Sequence, residues 1–175
     1  MENERNFYPT PEQKESKPKT YQVHFDDKHF GDVKKAIGTL ELVGQLNEWW
    51  DKICLENGLN PKDKKIFRLG YYVIGLGKNA LEYAEGGEIK VIFEPNKITV
   101  MVSDQGHGFE DRDHVEYSTS SQYGHGLAEI RKYANEFTVE TGGIKYAKVA
   151  GKRKLAETVP SDIQNGSKIT FIKNF

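Results

Sequence analysis

Residues 86–109, GGEIKVIFEPNKITVMVSDQGHGF, hold two alternating runs, a short turn between them and a glycine-rich loop after them. Apolar and polar residues alternate over residues 88–94 and again over residues 97–103, which predicts two strands that each bury one face. The intervening Pro95-Asn96 favours a tight turn, so the two strands are expected to form a hairpin. The glycine-rich loop then begins where the second strand ends.

Two helices are predicted upstream of this hairpin. Apolar residues recur every three or four positions over residues 33–53 and over residues 62–84, as in helices with one core-facing stripe. Pro61 suits the first turn of the second helix. Glycines inside that helix cost about 1 kcal/mol each relative to alanine, so we expect close packing or the approach of a ligand there. They are Gly70, Gly75 and Gly77.

The rest of the sequence predicts a sheet with one further helix. A helix is expected to begin near Gly126, and residues 150–165 are interpreted as a polar excursion. Short alternating runs predict four more strands, at residues 21–25, 137–140, 144–149 and 168–172. We therefore predict an α+β fold in two layers, with helices packed on one face of a mixed, mostly antiparallel sheet.

Composition excludes several classes of protein. The chain has 175 residues, with 25 lysines and arginines against 26 aspartates and glutamates, and one cysteine. The charge balance argues against nucleic-acid binding by overall positive charge. A single cysteine excludes an internal disulfide, and no apolar run approaches the ~18 residues of a membrane span. The sequence thus predicts a soluble, cytoplasmic protein that binds neither nucleic acid nor membrane.

Residues 1–20 differ in composition from the rest of the chain. They contain three prolines and only three hydrophobic residues, Met1, Phe7 and Tyr8. Such a segment cannot bury enough apolar surface to offset the entropy lost on ordering. We predict a disordered tail followed by one domain over residues 21–175, with contact of Phe7 and Tyr8 with a partner as the alternative.

Four short elements carry residues suited to nucleotide binding. An aspartate at the end of a strand can accept a hydrogen bond from the exocyclic amine of adenine. Glycines let the backbone approach a flat ring, and glycines before a helix leave free N–H groups for phosphates. An asparagine offers a neutral oxygen for Mg²⁺, which prefers oxygen ligands. The elements are Asn79-Ala80, Asp104 with Gly106 and Gly108, Gly124 with Gly126 and Leu127, and Gly166-Ser167.

The order of these elements resembles that in the GHKL, or Bergerat-fold, ATP-binding domain of histidine kinases, gyrase B-type ATPases, Hsp90 and MutL. Order, spacing and size are most similar to those of the small bacterial anti-sigma-factor serine kinases, over about residues 20–175. The resemblance implies a Bergerat two-layer sandwich, bound ATP and Mg²⁺, and a protein partner such as a sigma factor or an antagonist-like regulator. A homodimer is compatible with this interpretation.

The resemblance also implies roles for individual residues. Asp104 and Ser167 would face adenine, and Asn79 would hold Mg²⁺. Residues 110–123 would form a lid over the nucleotide. The loop glycines beside the base would be Gly106 and Gly108, and the element at the triphosphate would be Gly124, His125, Gly126 and Leu127.

One position departs from the family pattern. The anti-sigma kinases and gyrase-like ATPases have a glutamate four residues before the asparagine, where it acts as a general base. Gly75 occupies that position here, one helical turn from Asn79. Because losing a positioned base typically costs ~10²–10⁴ in rate, phosphoryl transfer to serine or water is left open. Glu82, one turn beyond the asparagine, is interpreted as a surface residue.

Three functions are therefore considered. The first is an ATP-dependent regulator of the anti-sigma-factor type. The second, which Gly75 favours, is a non-catalytic module whose protein binding depends on nucleotide, and the third is a detached catalytic domain of a histidine kinase. Three histidines in or near the predicted lid match no metal-binding spacing, so zinc is the weaker interpretation. They are His107, His114 and His125.

Overall fold

The computed structural model describes residues 17–26, 35–109, 127–149, 155–158 and 160–175. In these ranges the helices are α1 (Lys35–Glu56), α2 (Lys64–Ala84) and α3 (Leu127–Tyr133). The strands in the same ranges are β1 (Lys19–Asp26), β2 (Gly86–Glu94), β3 (Lys97–Asp104), β4 (Glu136–Thr141), β5 (Ile144–Lys148), β6 (Leu155–Thr158) and β7 (Ser167–Asn174).

The described strands form one sheet in the order β1-β2-β3-β7-β4-β5-β6, and each of their pairings is antiparallel. Strand β7 lies between β3 and β4, so the end of the chain joins the hairpin to the second half of the sheet. Helix α2 contacts β2 and β3, α3 contacts β4 and β7, and α1 packs against α2. These contacts confirm the predicted two-layer α+β fold.

Helix α2 begins two residues later than its apolar pattern predicts. Asp63 caps it, because the Asp63 Oδ1 atom accepts hydrogen bonds from the N–H groups of Lys65 (2.9 Å) and Ile66 (3.4 Å). Pro61 therefore lies in the preceding turn and not in the first helical turn. At the other end, Glu85 takes a left-handed φ of 59°, which ends the helix directly before β2.

The core lies between α1, α2 and the β2–β3 hairpin. Its residues belong to one cluster of buried side chains, and removing this apolar surface from water is the main stabilising contribution. Members from the two helices and two strands, each at most 3% exposed, include Leu46, Trp50, Val73, Ile89 and Val100. This packing places the C-terminal end of α2 beside the ends of β2 and β3.

Tyr133 joins α3 to α2. Its hydroxyl donates to the carbonyl oxygen of Lys65 at 2.8 Å, and the Arg68 guanidinium lies 5.2 Å from the centre of its ring. The Lys173 ammonium lies 4.5 Å from the same ring centre. Burial, and then the nearby charges of Lys65, Lys148 and Arg68, lower the pKa of Lys173. The contacts of Tyr133 hold α3 against the second helix near the C-terminal end of β7.

Two edges of the sheet differ from the sequence-based expectation. Strand β6, Leu155–Thr158, lies inside the interval 150–165 whose composition indicates a polar excursion. Strand β1 begins at Lys19, earlier than the predicted 21–25, and residues 1–16 of the predicted tail lie outside the described residues. None of the described helices is long and apolar enough to cross a membrane.

The three glycines of α2 have different surroundings. A Cβ atom on Gly70 would overlap the indole ring of Trp50, and one on Gly77 would lie 2.8 Å from the Cδ1 atom of Leu46. Close packing, one of the two expectations from the sequence, is therefore confirmed at these two positions. A Cβ atom on Gly75 would meet no atom of the described residues within 4 Å. Packing thus does not require glycine at position 75.

Alanine substitutions at two of these glycines are expected to change stability in opposite directions. Gly75→Ala raises helix propensity without a new contact, so the free energy of unfolding should rise by about 0.5–1 kcal/mol. Gly70→Ala places a methyl group against the rigid, buried indole of Trp50, so the free energy of unfolding should fall by about 1–3 kcal/mol. Urea unfolding measures both values. A Gly70→Ala variant as stable as the parent chain would contradict the observed packing.

Cys54 lies in the core and is fully buried. Burial, and then the charge of Asp51, raise the pKa of its thiol from 9.0 to about 12. Because the thiolate is the reactive form, Cys54 should resist an aromatic disulfide reagent at pH 8 until urea unfolds the chain. The thiol of the unfolded chain ionises at a lower pH than the buried thiol of the folded chain. The free energy of unfolding should therefore also fall as the pH rises from 9 toward 12. Rapid labelling of the folded chain at pH 8 would disprove this environment.

Candidate functional site

Four residues form a row across the sheet, on adjacent strands and at the end where α2 meets β2. Strand pairing aligns Gly87 with Asp104, Asp104 with Ser167, and Ser167 with Thr141. The row brings together two residues that the sequence analysis assigned to one site, Asp104 and Ser167, although they lie 63 positions apart in the chain. The register of β7 is what makes them neighbours.

The Asp104 carboxylate connects the loop after β3 with the first residue of β7. Its Oδ1 atom accepts hydrogen bonds from the N–H groups of Gly106 (2.9 Å) and Ser167 (3.2 Å), and its Oδ2 atom accepts one from the Ser167 hydroxyl (2.5 Å). Hydrogen bonds to a charged acceptor are roughly twice as strong as neutral ones. An ionised carboxylate has about four acceptor positions, so the described donors leave about one open. Asp104 is half-buried, so part of the residue is exposed to solvent.

The loop after β3 is fastened to the start of β7 through Thr141. The Thr141 hydroxyl accepts a hydrogen bond from the Phe109 N–H (3.0 Å) and donates one to the Gly166 carbonyl oxygen (3.1 Å). Gly108 and Gly166 both have a φ of 74°, in the left-handed region where side chains are disfavoured. A Cβ atom on Gly166 would also overlap the carbonyl group of Asp104. Glycine is therefore required for this close approach.

Thr141 is a residue of this site that the sequence patterns do not reveal. This residue is polar but only 4% exposed, and both of its hydrogen bonds serve the predicted site. The one signal in the sequence is a threonine at the end of an alternating strand, directly before Gly142-Gly143, and that pattern is common at ordinary turns. Its role becomes visible only when β4 and β7 are known to pair.

The same loop rests on the C-terminal end of α2. A Cβ atom on Gly106 would lie 2.7 Å from the Cβ of Ala84, and one on Gly87 would lie 3.2 Å from the Cβ of Ala80. Asn79, the residue before Ala80, is half-buried, and its side chain makes no hydrogen bond to the described residues. The amide oxygen of Asn79 is thus available on a helix that packs against the Asp104 row.

Position 75 lies one helical turn before Asn79 and carries no side chain. The space that a Cβ atom would enter there is open among the described residues. Glu82, one turn beyond, forms an ion pair with Lys78 at 3.5 Å, as expected for a helix-surface carboxylate. At the position where the resemblance implies a general base, the chain therefore has open space, and Glu82 is engaged elsewhere by Lys78.

Part of the predicted phosphate element lies outside the described residues. Leu127 is described: it begins α3 and is 6% exposed, so its side chain belongs to the core. The remaining members of the predicted phosphate element, Gly124, His125 and Gly126, lie outside the described residues. The predicted lid over residues 110–123 lies outside them as well.

The described residues of this region do not form a metal centre. His107 lies in the loop after β3 and is exposed. No group of three or more histidine, cysteine, aspartate or glutamate side chains suited to a metal ion occurs among the described residues. His114 and His125 lie outside those residues, so the weaker zinc interpretation stays untested.

Residues 65–174 match the family model described as Histidine kinase-, DNA gyrase B-, and HSP90-like ATPase. The match covers more than half of the chain and includes Asn79, Asp104 and Ser167. No curated protein matches the chain in sequence. The chain therefore belongs to the histidine kinase-, DNA gyrase B- and HSP90-like ATPase family, and residues 65–174 form an ATP-binding module of this GHKL type.

Proposed function

We propose that this domain binds ATP with Mg²⁺ and regulates a protein partner in a nucleotide-dependent manner, as anti-sigma-factor serine kinases do, with slow or no phosphoryl transfer. The observation that carries the proposal is the Asp104 carboxylate, held by Gly106 and Ser167 at the end of the sheet. Family membership supports ATP as the ligand. The regulatory role rests on the resemblance to the anti-sigma kinases.

Adenine recognition follows from the hydrogen-bonding capacity of this carboxylate. Three acceptor positions of Asp104 are engaged by Gly106 and Ser167, which fixes the orientation of the group. The remaining position suits the exocyclic amine of adenine, since that amine is a donor. A base that presents a carbonyl oxygen at the same place would leave the carboxylate unpaired and be rejected.

Asn79 is the described residue best suited to Mg²⁺. It offers a neutral oxygen that the described residues leave without a hydrogen bond, on the helix that packs against Gly106 and Gly87. Mg²⁺ uses few protein ligands and keeps several waters, so one asparagine is a sufficient anchor beside nucleotide phosphates. When bound, the ion would neutralise charge on the phosphates.

Gly75 is the reason to expect little turnover. Its neighbourhood is open, so the absence of a carboxylate there is not explained by packing. A water or serine hydroxyl near the phosphates would lack a positioned proton acceptor at this site. This observation favours a second candidate, a non-catalytic module whose protein binding depends on the bound nucleotide.

Asp104→Asn is expected to weaken ATP binding about 10- to 100-fold. The substituted amide keeps an oxygen for the two backbone N–H groups, but it presents N–H donors where adenine needs an acceptor. Titration calorimetry with ATP and Mg²⁺ measures the change. Asp51→Asn on α1 is the matched control, because it removes the same charge outside the Asp104 row. Equal affinities of the Asp104→Asn variant and the parent chain would disprove the adenine assignment.

Gly75→Glu tests whether the missing base limits turnover. The new carboxylate enters open space one turn before Asn79, so ATP hydrolysis should rise by about 10²–10⁴. Phosphate release at saturating ATP and Mg²⁺ is the measurement. Gly75→Gln is the control, since it has the same shape and cannot accept the proton. If Glu and Gln behave alike, the glycine is not what limits phosphoryl transfer.

A further inference from the structure

Positively charged side chains gather around the ring of Tyr133. The Lys173 ammonium lies 4.5 Å from the ring centre, and the Arg68 guanidinium lies 5.2 Å from it. Lys173 also donates a hydrogen bond to the carbonyl oxygen of Tyr133 (3.1 Å), and Lys148 donates one to that of Ala134 (2.6 Å). The two ammonium groups therefore bind adjacent carbonyls at the C-terminal end of α3. With the lysine whose carbonyl accepts the Tyr133 hydroxyl, these residues form what we call the Tyr133 cluster: Lys65, Arg68, Lys148 and Lys173.

Carboxylates do not balance the charge of this cluster. Within the described residues, none of its three lysines forms an ion pair with a carboxylate. The Glu129 carboxylate lies 3.9 Å from the Arg68 guanidinium, but it is closer to the Lys132 ammonium, at 2.7 Å. Burial, and then the charges of the other cluster members, lower the pKa of Lys173. The cations of the cluster therefore repel one another with little compensation.

Local structure does not account for the lysines at the start of α2. Lys64 and Lys65 are the first two residues of the helix, and its first turn holds no acidic side chain. The partial positive charge at a helix N-terminus disfavours cations there. The chain as a whole is almost neutral, with 25 basic and 26 acidic residues, so general basicity does not explain the excess either. A placement that costs stability in the free chain is typical of a functional site.

The Tyr133 cluster lies at the opposite end of the sheet from the Asp104 row. Ser167, the first residue of β7, pairs with Asp104, whereas Lys173, six residues later, pairs with Ile98 near the start of β3. Six residues of a strand span about 20 Å. An anion at the cluster is therefore a different ligand from a nucleotide at the Asp104 row, and the inference does not rest on the nucleotide assignment.

The exposed face of α2 beside the cluster carries aromatic side chains. Phe67 is 64% exposed and Tyr71 is 45% exposed. Together with Lys64 and Arg68 they follow spacings of three and four residues, so they share one face of the helix. Aromatic residues and arginine are enriched at protein interfaces. This combination favours a protein segment with both carboxylates and apolar side chains over a phosphate group, which would use the cations alone.

We propose that the Tyr133 cluster and the adjacent exposed face of α2 bind an acidic segment of a partner protein, with carboxylates at the cluster and an apolar side chain against Phe67. A lysine ammonium has three donors, and Lys148 and Lys173 each use one on a backbone carbonyl. Donors therefore remain for carboxylate oxygens, and the bound carboxylates offset the repulsion among the cations.

Titration with a defined peptide tests the proposal. The probe is a peptide of four Glu-Glu-Leu repeats, and the measurement is the amide spectrum of the isotope-labelled full-length chain. The amide signals of Arg68, Lys148 and Lys173 should shift on binding, whereas that of Ser167 in the Asp104 row should not. The same peptide with glutamine in place of glutamate should cause no shift. Absence of any shift at millimolar Glu-Glu-Leu peptide would overturn the proposal.

Lys65→Glu separates a binding role from a structural one. Charge reversal should weaken peptide binding about 10-fold. It should also raise the urea midpoint of the free chain, because a carboxylate suits a helix N-terminus and no longer repels Lys173. A lysine with only a structural role would instead lower the midpoint and leave the affinity unchanged, and that result would overturn the proposal.

A second charge reversal and a second probe supply the controls. Lys52→Glu, at an exposed position of α1, should leave the affinity for the peptide nearly unchanged. Equal losses in the Lys52→Glu and Lys65→Glu variants would show attraction to overall charge and refute a defined site. Tighter binding of a single-stranded oligonucleotide with the same charge as the peptide would assign the cluster to nucleic acid and refute the protein partner.

Discussion

The structure depends on one carboxylate. Asp104 ends β3, and its hydrogen bonds fix both the glycine loop that follows and the first residue of β7. Without this acceptor, two backbone N–H groups and one hydroxyl at this end of the sheet would lack a charged partner, which is costly where water is partly excluded. The same group that organises this end of the sheet has about one acceptor position that the described donors do not use. Under the proposed function, the fold and the recognition of adenine therefore rest on the same atoms.

Glycine serves two opposite purposes in this molecule. Gly108 and Gly166 take left-handed backbone conformations, and Gly166 lies against the backbone of Asp104. These glycines allow two loops to meet without side chains between them. Gly75, in contrast, has an ordinary helical conformation and open surroundings, so it marks the absence of a chemical group and not a packing need.

The sequence predicts local structure better than the partnerships between distant residues. Periodicity located α2, β2 and β3, because each has a long apolar stripe or a clear alternation. It missed β6, because this strand is only four residues long and its two apolar residues are adjacent, so no alternation is visible. Motif order brought Asp104 and Ser167 to one site, whereas Thr141 could not be found because its role arises from the β4–β7 register. The pairing of distant strands, and not composition, decides which threonine can join the two loops.

Helix α2 borders both the proposed nucleotide site and a groove against α1, and its geometry explains how the two surfaces stay separate. Successive residues of an α-helix are rotated by about 100°, so Lys78 and Asn79 point to different flanks although they are adjacent in sequence. The groove is lined by Tyr71, Ile74 and Lys78 at spacings of three and four, which places them on the flank that meets α1. Asn79 lies on the other flank, next to the residue that packs on Gly87. Side chains of either flank can therefore be changed separately, except at Gly75, which lines the groove and lies one turn before Asn79.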